Sequence, residues 1–209
     1  MKKCSIFLLL VSLYSVSFAN QPAVKIELAK NSWLAINGKT NIISFKLIQY
    51  GDKLMGKSAM VLFSKVQNKT FLSQNKMAIK VNNFKSDNPM ALRDFKKLIK
   101  SDIYPSIQVQ LNHIESVPSS DEQNLKQNIS VDITIASVTR QYNLATSTLN
   151  HNEFITIQGE KQLNIRDFGL EPPVEMLGLI KVSEWITIDF KLFCKLQFSK
   201  DSSMAVDGN

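Results

Sequence analysis

From Ile186 to Phe198 the chain alternates: Ile186, Ile188, Phe190, Leu192, Cys194, Leu196 and Phe198 are apolar, and Thr187, Asp189, Lys191, Lys195 and Gln197 between them are polar. Only Phe193 breaks the pattern. Successive strand side chains point to opposite faces, so a period of two sustained this long predicts one long strand with one face buried. A long half-buried strand needs partners, and two further segments repeat the pattern. Ile129, Val131, Ile133 and Ile135 alternate with Ser130, Asp132 and Thr134, and Ile107, Val109 and Leu111 with Gln108 and Gln110.

Nine weaker strands are expected at 24–28, 32–36, 42–50, 57–66, 76–81, 141–149, 153–158, 161–165 and 178–182. Asn37-Gly38 suits the positive φ angles of a tight hairpin, and Gly51-Asp52 with Gly56 marks the next return. Many short strands without intervening helices predict an antiparallel all-β barrel or sandwich. One helix interrupts them. Asp87 or Asn88 can cap it and Pro89 suits its first turn. Met90, Ala91, Leu92, Phe95, Leu98 and Ile99 form an apolar side opposite Arg93, Asp94, Lys96, Lys97 and Lys100. Such a helix covers an open end or edge of a sheet; its lysine cluster supplies the alternative of a peripheral membrane contact. Residues 119–127 are polar and aperiodic and predict an exposed loop.

Lys2 and Lys3, an apolar run from Ile6 to Val16 and Ser17-Phe18-Ala19 have the three zones of a secretory leader, with cleavage expected after Ala19. The domains expected are then a leader at 1–19, one barrel domain at 20–198 and a flexible tail at 199–209. The location expected is the periplasm or the exterior. Loss of the leader removes two lysines and no acid, so the net charge falls from +7 to +5. That modest surplus suits a solvated surface or weak attraction to anionic head groups, and export argues against nucleic acid. Cys4 falls inside the leader. Cys194, on an apolar-parity position, is expected to be a buried, inert thiol.

The chain offers little for chemistry. His113, expected at a strand end, and His151, expected in a turn, are the only histidines, too few with one remaining cysteine for a histidine-based metal centre. There is no Gly-x-Ser-x-Gly elbow and no phosphate-cradling glycine loop. Glu171 and Glu175 flank Pro172-Pro173 in what reads as a surface loop. No catalytic residue, metal or cofactor is therefore assigned. Shape remains: about eight strands that close on themselves either pack solid or enclose one ligand. A buried chain of roughly fifteen carbons would gain about 12 kcal/mol gross.

Lys100-Ser101-Asp102 followed by Tyr104-Pro105-Ser106-Ile107 resembles a stretch of the YceI family, in which a helix end leads through Tyr-Pro into a strand. Two further segments are similar to that family in the same order. They are Ile129 to Arg140 with Tyr142-Asn143-Leu144, and Gly159 to Leu170 followed by Val182-Ser183-Glu184-Trp185-Ile186-Thr187-Ile188. The resemblance spans residues 75–198 and implies an extended lipocalin-like antiparallel β-barrel with one amphipathic helix. It further implies a tunnel for polyisoprenoid or related amphiphilic lipid. On that reading Phe45, Leu47, Ile107, Val109, Leu111, Ile133, Ile135, Ile188 and Phe190 line the tunnel, with ordinary core packing as the alternative for each. Lys96, Lys97 or Arg166 could meet a polar head group, and Arg166 could equally pair with Asp167 or Asp189. The function expected is a carrier or sequestering protein for an isoprenoid or fatty-acyl ligand, not an enzyme. A solidly packed barrel that binds a protein partner in the envelope or stress response is the alternative, and a homodimer is compatible with either.

Overall fold

A computed structural model describes residues 22–54, 58–118, 124–151, 154–175 and 179–199. The leader expected at 1–19, part of the loop expected at 119–127 and the tail expected beyond Ser199 lie outside the described residues. The strands are β1 (Ala23–Leu28), β2 (Trp33–Lys39), β3 (Ser44–Tyr50), β4 (Ala59–Val66), β5 (Lys69–Ser73), β6 (Met77–Lys80), β7 (Ser106–Ser116), β8 (Asn124–Ile135), β9 (Val138–His151), β10 (Phe154–Asn164), β11 (Val174–Glu175), β12 (Ile180–Lys181) and β13 (Trp185–Phe198). A single helical turn, α1 (Gly51–Leu54), follows β3, and α2 (Pro89–Ile99) lies between β6 and β7.

Neighbouring strands run β1-β4-β5-β7-β8-β9-β10-β13, and β13 pairs back onto β1, which closes an antiparallel barrel of eight strands. The long alternating segment makes that closure. One edge of β13 carries β10 along most of its length. The other edge carries β1 opposite Cys194–Phe198 and β2 opposite Thr187–Lys191. Thus β1 and β2 are two halves of one long strand broken at 29–32. The break is stitched by Ser32, whose Oγ accepts from Phe193 N at 2.9 Å, and by Ala29 N, which donates to Phe193 O at 2.9 Å. The residue that breaks the alternation is the one opposite this interruption.

A second long strand is broken in the same way, since β5 and β6 share one edge of β7. Here Asn75 fills the gap. Its Nδ2 donates to Leu111 O at 2.8 Å and its Oδ1 accepts from Leu111 N at 2.7 Å, the pattern a paired residue would make with its backbone. The register of β7 against β8 shifts between Leu111 and His113, so Ile114 comes to lie opposite Ile129 and joins Ile107, Val109 and Leu111 on the inner face.

Several expectations need correction. Asn37-Gly38 is not a turn: both residues belong to β2, and the chain reverses at 40–43, where the Thr40 hydroxyl accepts from Ile42 N and Ile43 N. Gly38 is there because the Phe45 ring of the next strand lies over it. A Cβ at Gly38 would sit 2.3 Å from Phe45 Cζ. The strands expected at 153–158 and 161–165 are one, β10. Gly159 interrupts nothing; a Cβ there would meet Ala145 O at 2.9 Å and the Phe190 ring at 3.1 Å. Residues 124–127 are the start of β8 rather than loop, and of the strand expected at 178–182 Ile180 and Lys181 pair with β11 while Val182 bridges to Thr40. Strand β5 was not expected, its polar residues outnumbering its apolar ones. Gly51-Asp52 opens a helical turn, while Gly56 lies outside the described residues. His113 lies within β7, its ring 5.5 Å from that of Phe71, and His151 closes β9 instead of occupying a turn.

The helix forms as its sequence dictates. Asn88 caps it, Oδ1 accepting from Ala91 N at 3.0 Å, with Pro89 behind it, and Lys100 ends it in the left-handed region at φ 57°.

Candidate functional site

The barrel is not uniform along its axis. Around β1, β4 and β5 the sheet is continuous, and Val24, Val61 and Cys194 are buried there. At the other end β3 and β6 would be neighbours if the sheet ran on, but they do not pair. Among the described residues the backbone bridge of Ile48 with Lys85 and the Ser86 hydroxyl, which donates to Lys46 O at 2.7 Å, tie β3 to the segment after β6. Helix α2 lies over this gap. Its apolar side, Ala91, Phe95, Leu98 and Ile99, faces a cavity of about 230 Å³ whose other walls are β2, β3, the inner faces of β7, β8, β10 and β13, and the chain between 165 and 183. The Phe84 and Phe95 rings meet edge to face at 5.4 Å and fix the helix to the barrel.

The wall is almost entirely hydrocarbon. Its polar members are Thr40, Asn88, Asp94 and Ser183, and each is occupied locally. Thr40 and Asn88 cap backbone N–H groups, Ser183 Oγ accepts from Trp185 N at 3.1 Å, and Asp94 is held by Arg93 at 3.2 Å. No histidine, cysteine, lysine or arginine reaches the described wall. Among the described residues no cluster of three His, Cys, Asp or Glu side chains is placed to hold a metal ion. With its few polar groups engaged by neighbours and the rest of its wall hydrocarbon, the cavity can hold an apolar chain by burial.

Six of the nine residues expected to line a tunnel are in this wall: Phe45, Ile107, Val109, Ile133, Ile135 and Ile188. Leu47, Leu111 and Phe190 are not. They share the inner faces of their strands, but Leu47 and Phe190 are buried in the packed core and Leu111 packs against it. Leu34, Ile36, Ile79, Leu163 and Ile186, the helix residues, Ile165 and Leu170 after β10, and Ile180 of β12 are wall residues not foreseen as such. The signal for the helix was present, since its apolar stripe had to face something.

The basic residues expected near an opening do not line the cavity. Lys96 and Lys97 belong to the last turn of α2, and Arg166 makes neither of the ion pairs expected for it. Its Nε lies 2.5 Å from Glu184 and its Nη1 2.5 Å from Glu171, because the turn at Ile165–Phe168 aims it along the loop rather than toward Asp189. Both carboxylates raise its pKa further, Glu184 most. Glu171 is thereby a partner of Arg166. Cys194 is a free buried thiol, and burial pushes its pKa up to about 12, the opposite of what a reactive thiolate needs.

Comparison with known proteins follows this geometry. The family model described as a YceI-like domain matches residues 37–193. Among solved structures, BcnA from Burkholderia cenocepacia superposes with a TM-score of 0.57 at 14% identity, covering 78% of this chain and 95% of that one. A polyisoprenoid binding domain from Saccharophagus degradans, implicated in plant cell wall breakdown, superposes with a TM-score of 0.56 at 13% identity, covering 82% and 98%. At such identities the likeness is one of fold. No curated protein matches the sequence.

Proposed function

The chain belongs to the YceI-like family, and from that premise we propose that it is a non-enzymatic carrier or sequestering protein for a long-chain amphiphile of isoprenoid or fatty-acyl type. The leader read in residues 1–19 would deliver it to the periplasm or the exterior. The observation that carries this reading is the cavity beneath α2, whose wall is hydrocarbon and whose few polar groups are already engaged. Each methylene moved from water into such a wall contributes about 0.8 kcal/mol, so affinity grows with chain length and needs no catalytic group. The polyisoprenoid binding of the Saccharophagus domain supports the same ligand class here. The packed-scaffold alternative is disfavoured by the same cavity, since a solid barrel has no room under its helix.

The test is native mass spectrometry of the protein from its own envelope, before and after organic extraction, followed by titration with isoprenoids and fatty acids of graded length. A discrete extractable mass and affinity that climbs with chain length are expected. Protein that remains without ligand through both steps would return the barrel to the role of a scaffold.

A further inference from the structure

The cavity reaches the surface beside the turn between β2 and β3, and that rim is greasy where a soluble surface is usually polar. Ile42 is 66% exposed, Ile43 52% and Met90 55%, and all three also belong to the cavity wall. The β11–β12 hairpin brings two more, Val174 at 60% and Leu179 at 70%. These are not independent strays. Asn41 fastens the hairpin to the turn: its Nδ2 donates to Leu179 O at 2.9 Å, and its Oδ1 accepts from Lys181 N at 3.0 Å. Thr40 bridges to Val182, and Ser183 N donates to Lys39 O at 2.8 Å. The result is one apolar rim held in place by the Asn41 side chain and by backbone bonds, and exposed apolar surface of this kind marks a contact.

Charge selects the partner. Lys39 and Lys181 are exposed at the two strands that meet here, and neither forms an ion pair among the described residues. Trp185 is 46% exposed and lines, with Lys39 and Lys46, a shallow groove on the outer barrel face. Apolar tips, unpaired lysines and an exposed indole are the set that head groups and upper acyl chains satisfy together. A second copy of the chain would instead bring the same lysines against one another.

We propose that this end of the barrel docks on the surface of an anionic bilayer, with Ile42, Ile43, Val174 and Leu179 entering the head-group boundary and Lys39 and Lys181 meeting lipid phosphates. An acyl or isoprenoid chain then passes between bilayer and cavity without crossing water. The passage rests on the ligand reading above; the docking does not.

Docking is measured on protein purified from its native host and stripped of lipid, by co-sedimentation with vesicles of equal phosphatidylglycerol and phosphatidylcholine, or of phosphatidylcholine alone, at low salt. Loss of each lysine charge weakens binding to the anionic vesicles about fivefold, so K39Q/K181Q is expected to lose about 25-fold. V174S/L179S is expected to lose at least about tenfold. None of these four residues lines the cavity, so both variants keep wild-type capture of a fluorescent eighteen-carbon polyene acid offered in water. Wild-type protein that ignores both vesicles, or V174S/L179S that binds as well as wild type, overturns the docking. So does a wild-type dimer that V174S/L179S converts to monomer with no dependence on lipid. Vesicle binding without capture of the polyene acid overturns the carrier reading and leaves the docking standing.

Discussion

Ala91 sits on the cavity side of α2 and is its smallest wall residue. Substitution by leucine adds three carbons to the space a ligand would use, with little effect on the helix, because leucine and alanine are both strong helix formers and the Asn88 cap bonds only the backbone of residue 91. If each added carbon displaces one ligand methylene, three are excluded. At about 0.8 kcal/mol each the loss is about 2.4 kcal/mol, or about 60-fold in affinity for a chain long enough to fill the cavity. Protein stability should hold or rise, since the new side chain fills existing space. Ligands about three carbons shorter should bind wild type and A91L equally. Displacement of a fluorescent fatty acid by a homologous chain series measures both curves, with thermal melts as the control for overpacking. A91L that holds the longest chain as tightly as wild type would refute the placement of the ligand beneath α2.

The hairpin between β8 and β9 turns on Ala136 and Ser137 at φ 47° and 69°, a conformation that asparagine and glycine adopt more cheaply. A136N/S137G should therefore raise unfolding free energy by about 1–2 kcal/mol in urea titration; no gain would show that the turn is unstrained. N75A leaves the Leu111 N–H and C=O without partners at a cost of about 3 kcal/mol, a fall of roughly 6–12 °C in melting temperature by calorimetry. A fall of under a degree would show that Asn75 does not hold the break in the β5–β6 strand. Cys194 and Tyr142 both keep their protons up to about pH 12 in the native state, Cys194 through burial and Tyr142 through burial and its bond to Asp167. Both pKa values are raised on folding, so this stability is complete below about pH 9 and is lost as pH climbs from about 9 to 12. Urea midpoints across that range should fall less steeply for C194A than for wild type, and identical slopes would remove Cys194 from the account.

Where one face of a strand is buried, the alternation could be read directly. Strand β13, the inner faces of β7 and β8, and the capped helix between Asn88 and Ile99 all emerged from residue order alone. Gly38 misled because a glycine under an aromatic ring and a glycine in a turn look the same until the neighbouring strand supplies the ring. Strand β5 carries too few apolar residues to show a period. For the site, alternation reports which face a side chain is on but not how far along the barrel axis it lies. Leu47, Leu111 and Phe190 thus share faces with Phe45, Val109 and Ile188, yet Leu47 and Phe190 are buried in packed core and Leu111 packs against it. Height was set by the bridge at Lys85 and the insertion that carries α2, features of pairing rather than pattern.

A sheet that zips completely into a small barrel leaves its interior to side chains. Here the edges of β3 and β6 stay unzipped, and the segment from Val81 to Pro105 is wedged between them. Those edges are sticky: with the wedge withdrawn, their free N–H and C=O groups could meet each other or a strand from another molecule. The helix is therefore a spacer before it is a cover, and the length of the insertion, more than the identity of any wall residue, is the dimension on which members of such a fold could vary the size of what they hold.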